Sequence, residues 1–144
     1  MSFAIDVNIL VCASDSSSPV YSKAVSFLKD CAVKREVFCF PWFVAMSYLR
    51  IVTHPSIFRH PLSSSEACRN VDTLISLPHC CVIGEQEDFW STFTGVMKET
   101  PARGNLIRDV HLAAVLAQNG VTTLYTHDRD FRRFDFLEVR DPLT

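Results

Sequence analysis

NLIRDVHLAAVLAQNGVTTLYTHD, residues 105–128, reads as a helix, a stop and a strand that runs out into an acid. Apolar residues recur at helical spacing from Asn105 to Asn119, and Gly120 stands where helices commonly end in a left-handed residue. Thr122 to Thr126 then reads as a strand, with Asp128 two residues beyond it. Turning the helix by about 100° per residue puts Leu116, Asp109, Ala113, Leu106, Ala117 and Val110 in consecutive angular order. The polar face, Gln118, His111, Arg108 and Asn119, lies elsewhere. Asp109 therefore points into the apolar stripe, where an unpaired carboxylate is costly. It needs a cation, either an arginine or a metal ion.

The same grammar extends in both directions. Phe3–Ile5 is a short apolar strand ending at Asp6, and Val20, Ala24, Phe27, Leu28 and Cys31 predict a helix from Pro19 to about Glu36. Glu36–Phe40 reads as a second strand. Pro41 opens the next helix at the position where proline is tolerated. That helix, to about Thr53, is apolar almost all round, which predicts that it is largely buried. His54-Pro55 stops it, and Leu62-Ser63-Ser64-Ser65-Glu66 starts another that runs to about Leu77. Cys80–Ile83 is a third strand, Glu85–Glu99 a helix with Phe89, Phe93 and Val96 inward, and Phe136–Val139 a fifth strand. Strands alternating with helices imply a single α/β domain over residues 1–144. Its three layers are a central parallel sheet of four or five strands and the helices that flank it.

Composition narrows the function. No apolar run reaches the roughly 18–20 residues of a membrane helix, and Met1–Asp6 lacks the basic start of a signal peptide, so a cytoplasmic location is expected. The six cysteines form no C-x-x-C pair, which argues against structural zinc and for reduced, buried thiols acting as small hydrophobes. Neither G-x-G-x-x-G nor G-x-x-x-x-G-K occurs, which argues against dinucleotide and P-loop chemistry. The net charge of −2 weakly opposes nucleic-acid binding, but a metal held on clustered acids would neutralise part of it.

Ligands of open α/β sheets bind beyond the carboxyl ends of the strands. Asp6 and Asp128 fall there, and Asp109 is a third acid from a distant part of the chain. Oxygen-only ligands suit Mg2+ or Mn2+ rather than zinc. Clustered carboxylates holding such an ion activate water beside a phosphodiester. Arg129, Arg132 and Arg133 flank Asp128 and are candidates for holding RNA phosphates.

Four segments in order, and the chain's ending, resemble PIN-domain proteins, specifically the VapC toxins of bacterial toxin–antitoxin pairs. They are Phe3-Ala4-Ile5-Asp6-Val7-Asn8, Leu49-Arg50-Ile51-Val52-Thr53-His54-Pro55, Gly104 to Ala114, Thr126-His127-Asp128-Arg129-Asp130-Phe131, and Asp141-Pro142-Leu143. The resemblance implies an Mg2+- or Mn2+-dependent endoribonuclease, restrained by a small antitoxin and often a homodimer. It marks Asp6, Asp109 and Asp128 as metal-site acids and Asp130 as a further catalytic acid. Asn8 and Thr126 match positions that support the acids by hydrogen bonds, and Phe131 matches a core anchor.

The chain departs from that pattern at Ser47, where the family places a Glu. A shifted register does not restore it, because no Asp or Glu occurs between Glu36 and Glu66. Three readings stay open: a site working with three acids, a distant acid in substitution, or a weakened form that binds RNA or antitoxin without cutting. A phosphatase using Asp6 as nucleophile is a poorer fit, because Asn8 stands where D-x-D-x-T needs its second acid.

Overall fold

The computed structural model describes all 144 residues. The sheet has five strands in the order β3-β2-β1-β4-β5, and every neighbouring pair is parallel. They are β1 (Ser2–Ile5), β2 (Val37–Pro41), β3 (Cys80–Ile83), β4 (Thr123–Tyr125) and β5 (Glu138–Arg140). Six helices flank them: α1 (Val7–Ser14), α2 (Tyr21–Ala32), α3 (Trp42–Val52), α4 (Ser64–Ile75), α5 (Phe89–Glu99) and α6 (Ile107–Gln118). The chain builds outward from β1 to β3, then crosses back through α5 and α6 to lay β4 on the other side of β1. α1–α4 pack on one another and α5 packs on α6, the grouping on two faces that right-handed crossovers running in opposite directions require. The strand order thus reverses between β1 and β4, and that is where such sheets open a crevice.

The central strands are buried on both faces, as their continuous apolar runs require. Phe3, Phe38 and Phe40 form one aromatic row, with ring centroids 5.6 and 5.4 Å apart. Tyr125 meets Phe3 edge-on at 5.6 Å, and Phe27 of α2 closes over Tyr125 at 4.8 Å. Ala4, on the opposite face, pairs with Leu124, and both are fully enclosed.

Several expectations shift. α1 was not predicted: its eight residues, VNILVCAS, are too short and too evenly apolar to show a period, yet Ile9 and Leu10 bury one side. α2 is shorter than expected, and Pro41 ends β2 and caps α3 instead of opening it. The α3 helix is not wholly enclosed, since Trp42 and Met46 remain 50% and 51% exposed. Their side of the helix has no neighbouring layer, in keeping with more large apolar residues here than one small core needs. α5 begins only at Phe89, after Asp88 at φ 63°. Ser63 forms a full capping box with Glu66, and Gly120 has the left-handed φ of 70° predicted for it. All six cysteines are free, but Cys68 and Cys81 are exposed rather than buried. For Cys81 the reason is that β3 is an edge strand.

Candidate active site

Asp6 is placed by two elements at once. Its amide continues the sheet by donating to the Tyr125 carbonyl at 2.9 Å, and its side chain caps α1, with Oδ1 accepting from the Val7 N–H at 2.7 Å. Oδ2 accepts from the Thr126 hydroxyl at 2.7 Å. Thr126 is itself buried at the end of β4, and its oxygen accepts from Asn8 Nδ2 at 3.1 Å and from the Asp128 N–H at 3.0 Å. A hydroxyl has one proton and two lone pairs, so Thr126 is fully used, and its proton must go to Asp6. Asn8 completes the link by accepting from the His127 N–H at 3.3 Å. The expected supporting pair, Asn8 and Thr126, therefore ties the end of β1 to the end of β4.

Asp128 caps the following 3-10 turn (Arg129–Arg133), accepting from the Asp130 N–H at 2.9 Å. Asp109 projects from the first turn of α6 and is half-buried, with no ion pair to a lysine or arginine. The arginine partner that the helical pattern allowed for Asp109 is thus absent. Burial above all, then the negative charges of Asp128, Asp6 and Asp130, pushes the Asp109 carboxyl from 3.8 up to about 6, with Arg133 opposing. Burial likewise raises Asp6, against the bonds from Thr126 and Val7.

Carboxylate oxygens of Asp109, Asp128 and Asp130 lie within 4.8 Å of one another. The tightest trio therefore includes Asp130 in place of Asp6. Asp6 instead shares with Asp109 and Asp128 the wall of one cavity of about 320 Å³. Crowded carboxylate oxygens, with Asp109 and Asp6 both raised by burial, suit a hard divalent cation, because the ion relieves the crowding and offsets that burial. Phe131, the expected anchor, is buried and closes one side.

Ser47 lines this cavity from α3, as does Phe43 one turn earlier. Arg108 lines it too. The helical wheel had assigned Arg108 to the polar face; it reaches the rim because it sits in the first turn of α6, beside Asp109. Arg129 and Arg132 line a small adjoining crevice that shares Asp128 with the cavity, together with Thr126, His127 and Asp141, while Arg133 lies against the Phe134 ring at 5.7 Å. The three arginines expected to hold phosphates thus surround the acids without entering their cavity. A further pair absent from the sequence reading, His127 Nδ1 with Asp141 Oδ2 at 2.8 Å, fastens the chain end to the loop after β4.

No family model matches the chain. It is 37% identical over 144 residues to ribonuclease VapC48 of Mycobacterium tuberculosis, covering 100% of this chain and 99% of that protein. To ribonuclease VapC43 of the same organism it is 33% identical over 139 residues, covering 96% and 94%. Among solved structures, it resembles the Sarcin-Ricin loop cleaving toxin VapC20 of M. tuberculosis with a TM-score of 0.66 at 18% identity, over 96% and 98% of the two chains. VapBC2 from Rickettsia felis, bound to a promoter DNA fragment, gives a TM-score of 0.67 at 16% identity over 98% of each.

Proposed function

The chain belongs to the VapC family of PIN-domain ribonucleases, and from that premise we propose that it is an endoribonuclease dependent on Mg2+ or Mn2+. The observation that carries the reading is the convergence of Asp109, Asp128 and Asp130 within 4.8 Å, beside an Asp6 held by Thr126, at the point where the strand order reverses. Asp6, Asp109 and Asp128 are the metal-site acids and Asp130 a fourth catalytic acid. In the reaction a water oxygen bonds to phosphorus, a phosphorus–oxygen ester bond breaks, and the departing oxygen gains a proton. The bound ion supplies charge neutralisation and an activated water. The chain supplies orientation: Thr126 and Asn8 fix the two strand ends, so the carboxylates need little reorganisation when the substrate arrives. Arg129, Arg132 and Arg133, outside the cavity, hold neighbouring phosphates of the RNA.

The partner expected from the family is an antitoxin, and the solved relatives include toxin–antitoxin complexes. Two features of the surface support a protein partner or a second copy. Trp42 and Met46 are half-exposed, and a largely apolar cavity of about 320 Å³ opens among Leu10, Leu28, Tyr48, Leu74 and Leu77. No helix is long and apolar enough to cross a membrane.

A second reading is a catalytically impaired chain that binds RNA or antitoxin, and the position of Ser47 on the cavity wall favours it. One experiment separates the two. Purified protein is incubated with single-stranded RNA and Mn2+, with EDTA and the Asp109→Asn variant as controls. Cleavage that both controls abolish establishes the enzyme. RNA binding without cleavage at any Mn2+ concentration establishes the impaired form.

A further inference from the structure

The cavity contains one positive charge that the carboxylates do not use. Arg108 lines it together with Asp6, Asp109, Asp128 and Ser47. The helical turn that aims Asp109 inward also carries Arg108 to the rim. The residue is exposed and takes part in none of the ion pairs, which are His111–Glu85, His127–Asp141 and Arg140–Glu138. It is nevertheless close enough to Asp6 to oppose the rise in that acid's pKa. An arginine serving as a structural counter-ion docks on its acid. This one faces three acids and docks on none.

Once a cation satisfies those acids, the guanidinium fork keeps all its donors for an incoming anion. The anion that must enter this cavity for RNA to be cleaved is a phosphodiester. We propose that Arg108 seats the scissile phosphate, its fork donating to the two non-bridging oxygens, while Asp6, Asp109 and Asp128 would hold the ion. The assignment rests on the RNA-cleavage reading above. It also divides labour among the arginines: Arg108 is the one that lines the cavity, whereas Arg129 and Arg132 share an adjoining crevice with Asp128 and Arg133 lies against Phe134, positions suited to flanking phosphates. Ser47 adds no negative charge to the wall, so the phosphate meets less repulsion there than an acid would cause.

The test compares Arg108→Ala and Arg108→Lys with the parent chain in three measurements. In RNA cleavage with Mn2+, Arg108→Ala should lower kcat/KM by about 10²–10³-fold, the scale for removing one donor to developing charge. Arg108→Lys should recover part of it, since a point charge replaces the fork. In direct Mn2+ titration, Arg108→Ala should bind the ion at least as tightly as the parent, because a nearby positive charge has gone. In fluorescence anisotropy with single-stranded RNA, Arg108→Ala is added to the cleavage-dead Asp109→Asn background. Affinity should fall about tenfold, and the slope of log K against log salt should shrink by about 0.7.

Parent-like cleavage and parent-like RNA affinity in Arg108→Ala would overturn the proposal. So would a joint loss of Mn2+ binding, thermal stability and activity, which marks a structural residue. If the parent chain cleaves no RNA but the anisotropy contrast holds, the nuclease reading fails while the phosphate seat stands. If Asp109→Asn abolishes cleavage but no Arg108 substitution changes any of the three measurements, the nuclease reading stands and the seat fails.

Discussion

Asp109→Asn should make the metal-free protein more stable at neutral pH, although the same change should remove its activity. The Asp109 carboxyl is raised from 3.8 to about 6, so the folded state binds protons more tightly there than the unfolded chain does. The sign follows: this contribution is fully favourable below about pH 4, falls as pH rises through the window to about 6, and is wholly lost above it. A shift of about two units converts to an upper limit of about 3 kcal/mol. The side chain is only half-buried, and solvent screening reduces that to about 1 kcal/mol. For a chain of this size, 1 kcal/mol moves Tm by about 2–4 °C. The assay is thermal and urea unfolding in EDTA at pH 7.5 and at pH 4. Asparagine carries no charge, so the variant should melt about 2–4 °C higher at pH 7.5 and show little or no gain at pH 4. Saturating Mn2+ should reverse the order, because only the parent gains a bound ion, which stabilises by about 2.7 kcal/mol at a hundred times Kd. A variant less stable than the parent in EDTA at pH 7.5 would refute the claim that crowded, half-buried carboxylates strain this site.

Thr126→Val keeps the shape but removes the proton donated to Asp6 and the acceptor for Asn8 and Asp128, so it should cost about 1–3 kcal/mol in urea unfolding and reduce RNA cleavage as well. Ser47→Glu places a carboxylate on the cavity wall and should raise metal affinity and RNA cleavage, with Mg2+ gaining more than Mn2+, because Mg2+ depends more on charge and strict geometry. Adding Asp109→Asn should abolish that gain in cleavage, and unchanged metal binding in Ser47→Glu would place residue 47 outside the ion's reach. Gly120→Ala sits at φ 70°, where a Cβ is disfavoured, and should cost about 1 kcal/mol without altering RNA cleavage, as read by unfolding and a kinetic assay. Trp42→Ser with Met46→Lys removes the half-exposed apolar side of α3 and should weaken self-association or antitoxin binding in light scattering, leaving Tm within a few degrees.

Much of this molecule is written locally. The alternation of apolar runs with turn residues specifies a parallel sheet of four or five strands and most of the helices, because burial on both faces demands continuous apolar strands and a layer of helices on each side. Asp109 was legible for the same reason: helical geometry alone puts it among leucines and alanines, where its charge needs an explanation. Asp6 and Asp128 were legible as acids at strand ends. Other features depend on which elements become neighbours. α1 is invisible to periodicity, because eight mostly apolar residues have no clear stripe until β1 directs them across its end. Met46 and Cys81 look like core residues, and only the sheet order and the missing neighbouring layer leave them exposed. Two partners of Thr126, Asp6 and Asn8, lie 120 and 118 residues away along the chain, and Arg108 enters the cavity only because α6 begins at its rim. Sequence patterns determine which residues must be inside and which acids are out of place. Whether those acids meet at one point, and which cation stands beside them, is decided by the tertiary fold, because that convergence depends on strand order and crossovers that no local spacing records.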